Sequence, residues 1–168
     1  MTGKTGADSI LYGKEFTLYA IKYVNPWHGN YLRRGKDVVT GSMNQTIVRH
    51  KPYVENDEVN KLNTVGMKEL EFPLVLKNKD GINVNCPLLL RFDDAGKCTI
   101  TAANASFTAS GSGRFVKKGE KNSWGAKDRD GLYLNYQVTL TDMQVASTDT
   151  LVMRDRSVTM ETFTPVGK

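Results

Sequence analysis

The sequence predicts an all-β domain, an antiparallel β-barrel of about eight to ten strands with lipocalin-like character, with a β-sandwich as the alternative. Three observations support it. Leu132, Leu134, Tyr136, Val138 and Leu140 alternate with Tyr133, Asn135, Gln137 and Thr139, the period of two of a half-buried strand. Asp80-Gly81 and Asp93-Asp94-Ala95-Gly96 each stand between apolar runs as hairpin turns. No stretch holds a helical period with caps at both ends.

Taken in order, residues 1–9 read as a linker or cloning junction without the apolar core of a signal peptide, and residues 10–168 as a single β-barrel-type domain. Glu15 to Val24 is aromatic and β-branched and suits a central strand. Asn25-Pro26 breaks it, Trp27-His28-Gly29 makes a corner, and Tyr31 to Val39 returns as a partner strand. Gln45 to Val54 is a more polar run that ends in the acidic turn Glu55 to Glu58. Val59 to Gly66, Glu69 to Lys77, Ile82 to Phe92 and Cys98 to Ala102 supply further strands. Gly111 to Tyr136 is a strand, a loop from Gly119 to Asp130 carrying Trp124, and a second strand. Met143 to Met153 and Val158 to Phe163 complete the set. GNYLRRG (Gly29 to Gly35) is echoed by GRFVKKG (Gly113 to Gly119) at an offset of 84, half of the 168-residue chain, which suits either a duplication or a chance likeness of strand ends.

The totals bound the function. A chain of this length forms one domain with its own core. The net charge of +5 is spread evenly, with 12 basic and 9 acidic residues up to Val84 and 11 and 9 beyond it, which argues against a phosphate-binding stripe and so against nucleic acid. The longest apolar run, Pro87 to Leu90, is too short to enter a bilayer. Cys86 and Cys98 are expected as buried, separate thiols, because a turn at Asp94 to Gly96 sets Cys98 opposite Phe92 and leaves Cys86 several residue pairs away. Neither a zinc site nor a calcium site is expected, since Asp128-Arg129-Asp130-Gly131 lacks the later acidic ligand. No cofactor or nucleophile motif is present, and Gly3-Lys4-Thr5 lacks the rest of a phosphate loop, so the expectation is a non-enzymatic protein.

A binding role has more to stand on. Sugar rings stack on flat aromatic faces while nearby Asn, Asp and Arg satisfy their hydroxyls. Trp124, Trp27, Tyr31 and Tyr133 lie in or beside loops that also carry Asn122, Asp128 and Arg129, and these seven are the candidate glycan-binding residues. A loop tryptophan also folds back to plug a barrel end, and Tyr31 suits ordinary core, so both readings stand. Arg33-Arg34 and Lys117-Lys118 are expected as solvated strand ends.

In the segments NPWHGNYLRRG, GSGRFVKKGEKNSWGAKDRDGLYLNYQVTL and DTLVMRDR the chain resembles the C-terminal domains of unknown function in outer-surface lipoproteins of gut Bacteroidetes. The resemblance runs from about Leu11 to Val166. It implies a parent protein with an N-terminal β-sandwich domain as a partner, a lipid anchor at the cell surface and a link to glycan utilisation. The expected function is therefore a non-catalytic glycan-binding or adhesion module for an oligo- or polysaccharide. The alternative is a structural spacer or protein-interaction domain, and a weaker third reading is a hydrolase with carboxylates in the barrel mouth.

Overall fold

The computed structural model describes residues 23–158, and within them eight strands close an antiparallel barrel. The eight staves are β1 (Gly29–Gly41), β3 (Glu58–Gly66), β4 (Glu69–Phe72), β7 (Leu88–Phe92), β8 (Lys97–Ala102), β9 (Thr108–Ser123), β10 (Lys127–Thr139) and β11 (Met143–Asp155). They pair in that order, and β11 pairs back onto β1 to close the ring. A further strand, β2 (Gln45–Arg49), continues the wall along the second half of β1, where Gly35 to Val39 face Arg49 to Gln45. The short helix Val54–Asn56 lies between β2 and β3. Strands β5 (Val75–Lys77) and β6 (Asn83–Asn85) form a separate hairpin between β4 and β7.

Local chemistry explains these boundaries. At the β7–β8 turn, Asp93 Oδ1 accepts the N–H groups of Ala95 and Lys97, and Gly96 supplies the left-handed residue at φ +76°. That turn sets Phe92 opposite Cys98, as its spacing predicts. Asn78 does the same for the β5–β6 hairpin, accepting from Asp80 and Ile82. The corner ahead of β1 is held by the buried Asn25, whose Nδ2 donates to the carbonyls of Gly66 and Glu69. Cys86 and Cys98 are buried free thiols.

Alternate residues of every stave but β9 are buried in the barrel, among them Tyr31, Leu62, Leu70, Phe72, Leu88, Leu90, Ile100, Leu132, Leu134 and Leu151. One interior region is charged. Arg33 Nε donates to Asp149 Oδ2 at 3.0 Å, and the Tyr136 hydroxyl donates to the same oxygen at 2.7 Å. Arg49 bridges Asp149 Oδ1, at 2.5 Å, and Asp37, whose other oxygen accepts from Ser147 at 2.6 Å. Two arginines thus balance two aspartates inside the barrel, and the Arg33 guanidinium also lies 5.1 Å over the Phe72 ring. Gly35 makes room for this cluster, since a Cβ there would overlap the Asp149 carboxylate.

Three expectations change. Arg33, expected as a solvated strand end, is 4% exposed and ion-paired, because it points inward on a closed stave; its neighbour Arg34 is half-buried and bonds Asp57 at 2.6 Å. The loop expected over Gly119 to Asp130 is mostly strand, and only Trp124 to Ala126 separate β9 from β10. Its polar composition reflects an exposed ribbon with bulges: Lys118 adopts φ 51°, and its N–H is taken by Asp130 Oδ1 at 2.8 Å. Those bulges also end the likeness between GNYLRRG and GRFVKKG, for Tyr31 and Phe115 both pack on the core while Arg33 is buried and Lys117 is exposed. The expected strand from Glu15 and the last one to Phe163 lie outside the described residues, apart from Tyr23, Val24 and Val158.

Replacing Asp149 with alanine leaves the buried Arg33 without a counter-ion and Arg49 with Asp37 alone, and we expect it to cost about 3–5 kcal/mol, measured as a fall in the denaturant midpoint at unchanged m-value. Burial, then the field of Asp93, pushes the Cys98 thiol from 9.0 up to about 12. The unfolded chain therefore loses that proton first as pH rises, and stability should fall between pH 9.0 and about 12. Denaturation at stepped pH should show a shallower fall in Cys98→Ala.

Candidate functional site

Residues that alternate with the core line an outer groove of ≈ 830 Å³ across β7 to β11. The strand register sets them in two rows. Arg91, Thr99, Ser112, Asn135 and Thr148 are successive cross-strand neighbours. Beside them run Lys97, Arg114, Tyr133 and Thr150. Short hydroxyl and amide side chains thus line the groove together with the longer Arg91, Arg114 and Tyr133. Inward-facing residues, among them the half-buried Gly113 and the buried Leu134, complete the lining.

Of the two aromatic residues at this groove, Phe92 is buried against Trp27 and Tyr133 is the more accessible. Its ring lies along β10 over Gly131, where a Cβ would sit 3.0 Å from Cζ, and its hydroxyl donates to Glu120 at 2.7 Å. Partial burial, followed by the Glu120 contact, pushes the phenol up to about 12, so it stays a donor across the physiological range.

The other predicted site residues fall into two places. Trp124, Asn122, Asp128 and Arg129 gather at the tip of the β9–β10 ribbon. Arg129 covers one face of Trp124, with its guanidinium carbon 4.4 Å from the ring centroid, and its Nε donates to the Trp124 carbonyl at 2.9 Å. Arg154 stands 6.0 Å from the same ring. Asp128 accepts from Lys121 at 2.9 Å and from the Asn122 N–H at 3.2 Å, and these bonds hold its carboxyl below the usual range.

Trp27 and Tyr31 belong instead to the barrel end. Trp27 stacks on Phe92 at 4.1 Å and 9°, and the wholly buried Tyr31 donates to the Trp27 carbonyl at 2.6 Å. His28 accepts the Thr64 N–H through Nδ1 and so fixes the corner. Asp128 and Asp130 do not converge, and among the described residues no group of three or more His, Cys, Asp or Glu side chains forms a metal site.

Tyr133 is thus the one candidate of the seven that lines the groove. Sequence reasoning passed over Lys97, Ser112, Arg114, Asn135 and Thr148. Alternation showed that Asn135 shares a face with Tyr133, but which residues of β8, β9 and β11 join them depends on register.

The fold is a small closed antiparallel β-barrel, and the candidate site is a groove on its outer wall. Residues 26–157 match the family described as Domain of unknown function (DUF5627), and the chain belongs to that family. It is similar to a crystal structure from Bacteroides ovatus, solved at 2.40 Å by structural genomics and described as of unknown function, with 47% identity and a TM-score of 0.81 over 84% of this chain. This chain spans 46% of that one. No curated protein matches it.

Removing the guanidinium from Trp124 in Arg129→Ala should raise acrylamide quenching of tryptophan emission and cost about 0.5–1 kcal/mol, the range of a partly exposed cation–π contact. Quenching curves and a thermal melt of the variant check both.

Proposed function

We propose that this domain is a non-catalytic carbohydrate-binding module that holds a glycan in the outer groove. The observation that supports it best is the lining itself: the ring of Tyr133 in a register with the short polar side chains of Thr99, Ser112, Asn135 and Thr148. A pyranose has an apolar face that stacks on such a ring and an equatorial fringe of hydroxyls that exchange hydrogen bonds with short polar side chains. A groove of ≈ 830 Å³ has room for more than one sugar unit. Trp124, on the ribbon that carries Glu120, extends this surface for a longer oligosaccharide. The parent protein in this reading is a lipid-anchored lipoprotein of a bacterial surface whose other portion precedes the barrel. That reading rests on the family resemblance and on the similarity to about half of the Bacteroides ovatus chain.

Calorimetric titration against plant and host oligosaccharides tests it. Binding should weaken about tenfold or more in Tyr133→Ala, the loss of a stacked ring, and by less in Asn135→Ala. Tyr133→Phe keeps the ring and should retain most of the affinity.

A second reading, a protein-interaction domain, is favoured by Val48 and Tyr53 on β2 and the loop after it, which are 66% and 67% exposed. That reading gains if no glycan binds and Val48→Lys or Tyr53→Ser abolishes association with the other portion of the parent protein.

A further inference from the structure

Resting on that reading of the groove, we infer that its ligand is an acidic glycan whose anionic group sits between Lys97 and Arg114. The register sets these two side chains directly opposite each other on adjacent strands, on the same outward face. Like charges in that position repel and weaken the sheet. No acidic side chain of the described residues pairs with either of them, and the carboxylates nearby are engaged elsewhere. Asp93 accepts two N–H groups of its own turn, Glu120 takes the Tyr133 hydroxyl, Glu69 pairs with Arg91 at 2.7 Å, and Asp94 pairs with Lys68 at 2.6 Å.

A carboxylate or sulfate seated between the two cations replaces their repulsion with two charge-assisted hydrogen bonds. Arg114 is also the cross-strand neighbour of Tyr133. A sugar stacked on that ring therefore brings a substituent one bond from its edge to the guanidinium. Arginine takes a planar carboxylate or a sulfate through two N–H groups at once, and Lys97 adds a point charge. The ligand class is a glycan with uronate or sulfate-ester groups, and the two sources share this anionic chemistry.

Titration of the intact protein with four probes tests the inference: an oligogalacturonate, its methyl ester, a sulfated galactan oligosaccharide and the desulfated form of that oligosaccharide. The expected result is that at least one anionic member binds about tenfold or more tighter than its neutral counterpart, and that Lys97→Gln and Arg114→Gln each bring the anionic member to the affinity of its neutral counterpart measured in the same variant. Whichever pair shows the advantage names the group as carboxylate or sulfate. Both variants should keep or raise the thermal midpoint, because each relieves the repulsion.

Equal binding of the charged and neutral forms overturns the inference and leaves the glycan-binding function standing. Equally tight binding of linear polyphosphate, which has no ring to stack, overturns it as well, by reducing the site to bulk charge. Binding of none of the four probes, nor of any neutral glycan in the wider panel, removes both readings. A fall in the midpoint of both variants shows that the protein already satisfies these charges, and it too overturns the inference.

Discussion

The ion cluster of Arg33, Asp37, Arg49 and Asp149 is the constraint on which the closed barrel depends. With Tyr136 it joins β1, β2, β10 and β11 at the seam where the first and last staves meet, through bonds between residues a hundred or more positions apart in the chain. Apolar packing favours closure but is non-directional and selects a register only weakly. The cluster is directional. If β11 slipped by one residue against β1, Asp149 would turn outward, Thr148 would face Arg33, and a desolvated cation would be left without a counter-ion. Burying four charges carries a desolvation cost, so the cluster contributes uniqueness of pairing more than net stability.

The two faces of these strands do separate work. Leu134 and Tyr136 pack inward while Asn135, between them, lines the groove; Asp149 locks the seam while Thr148 and Thr150 on either side face outward. The parity of a strand isolates one set from the other, so the groove's chemistry can change without disturbing the core. Tyr133 links the groove to the ribbon above it, because its ring covers Gly131 and its hydroxyl reaches Glu120.

Much of the fold was legible in the residues. The alternation of Leu132 to Leu140, the Asp-Gly turns and the absence of helical periodicity gave an all-β barrel, and the Asp93 to Gly96 turn placed Cys98 opposite Phe92. What escaped was long-range. Arg33-Arg34 looked like any basic strand end, since its partners Asp149 and Asp57 are distant in the chain and only closure brings Asp149 near. The ribbon beyond Gly119 looked like a loop because bulged, solvated strands lose the period of two. The groove was the least legible feature. It is built from one or two outward residues on each of five strands, none of them a motif, and only Tyr133 signals itself by type.

The seam also determines how the domain answers a pull. Asn30 lies opposite Asp155, and Arg156 donates to the carbonyls of Asn25 and Pro26, so the chain enters and leaves the barrel at one pole. Tension applied through residues 25 and 156 acts across the β1–β11 bonds and loads them one pair at a time, as in opening a zip. Sliding the two strands lengthwise would load all pairs together and demand more force. Under tension the ladder opens from Asn30 inward, past Tyr31 and Leu32, until it meets the clasp of Arg33 and Asp149. A barrel loaded in this way has a weak outer clasp and a strong inner one, and its groove reaches β11, the strand that forms one side of that seam.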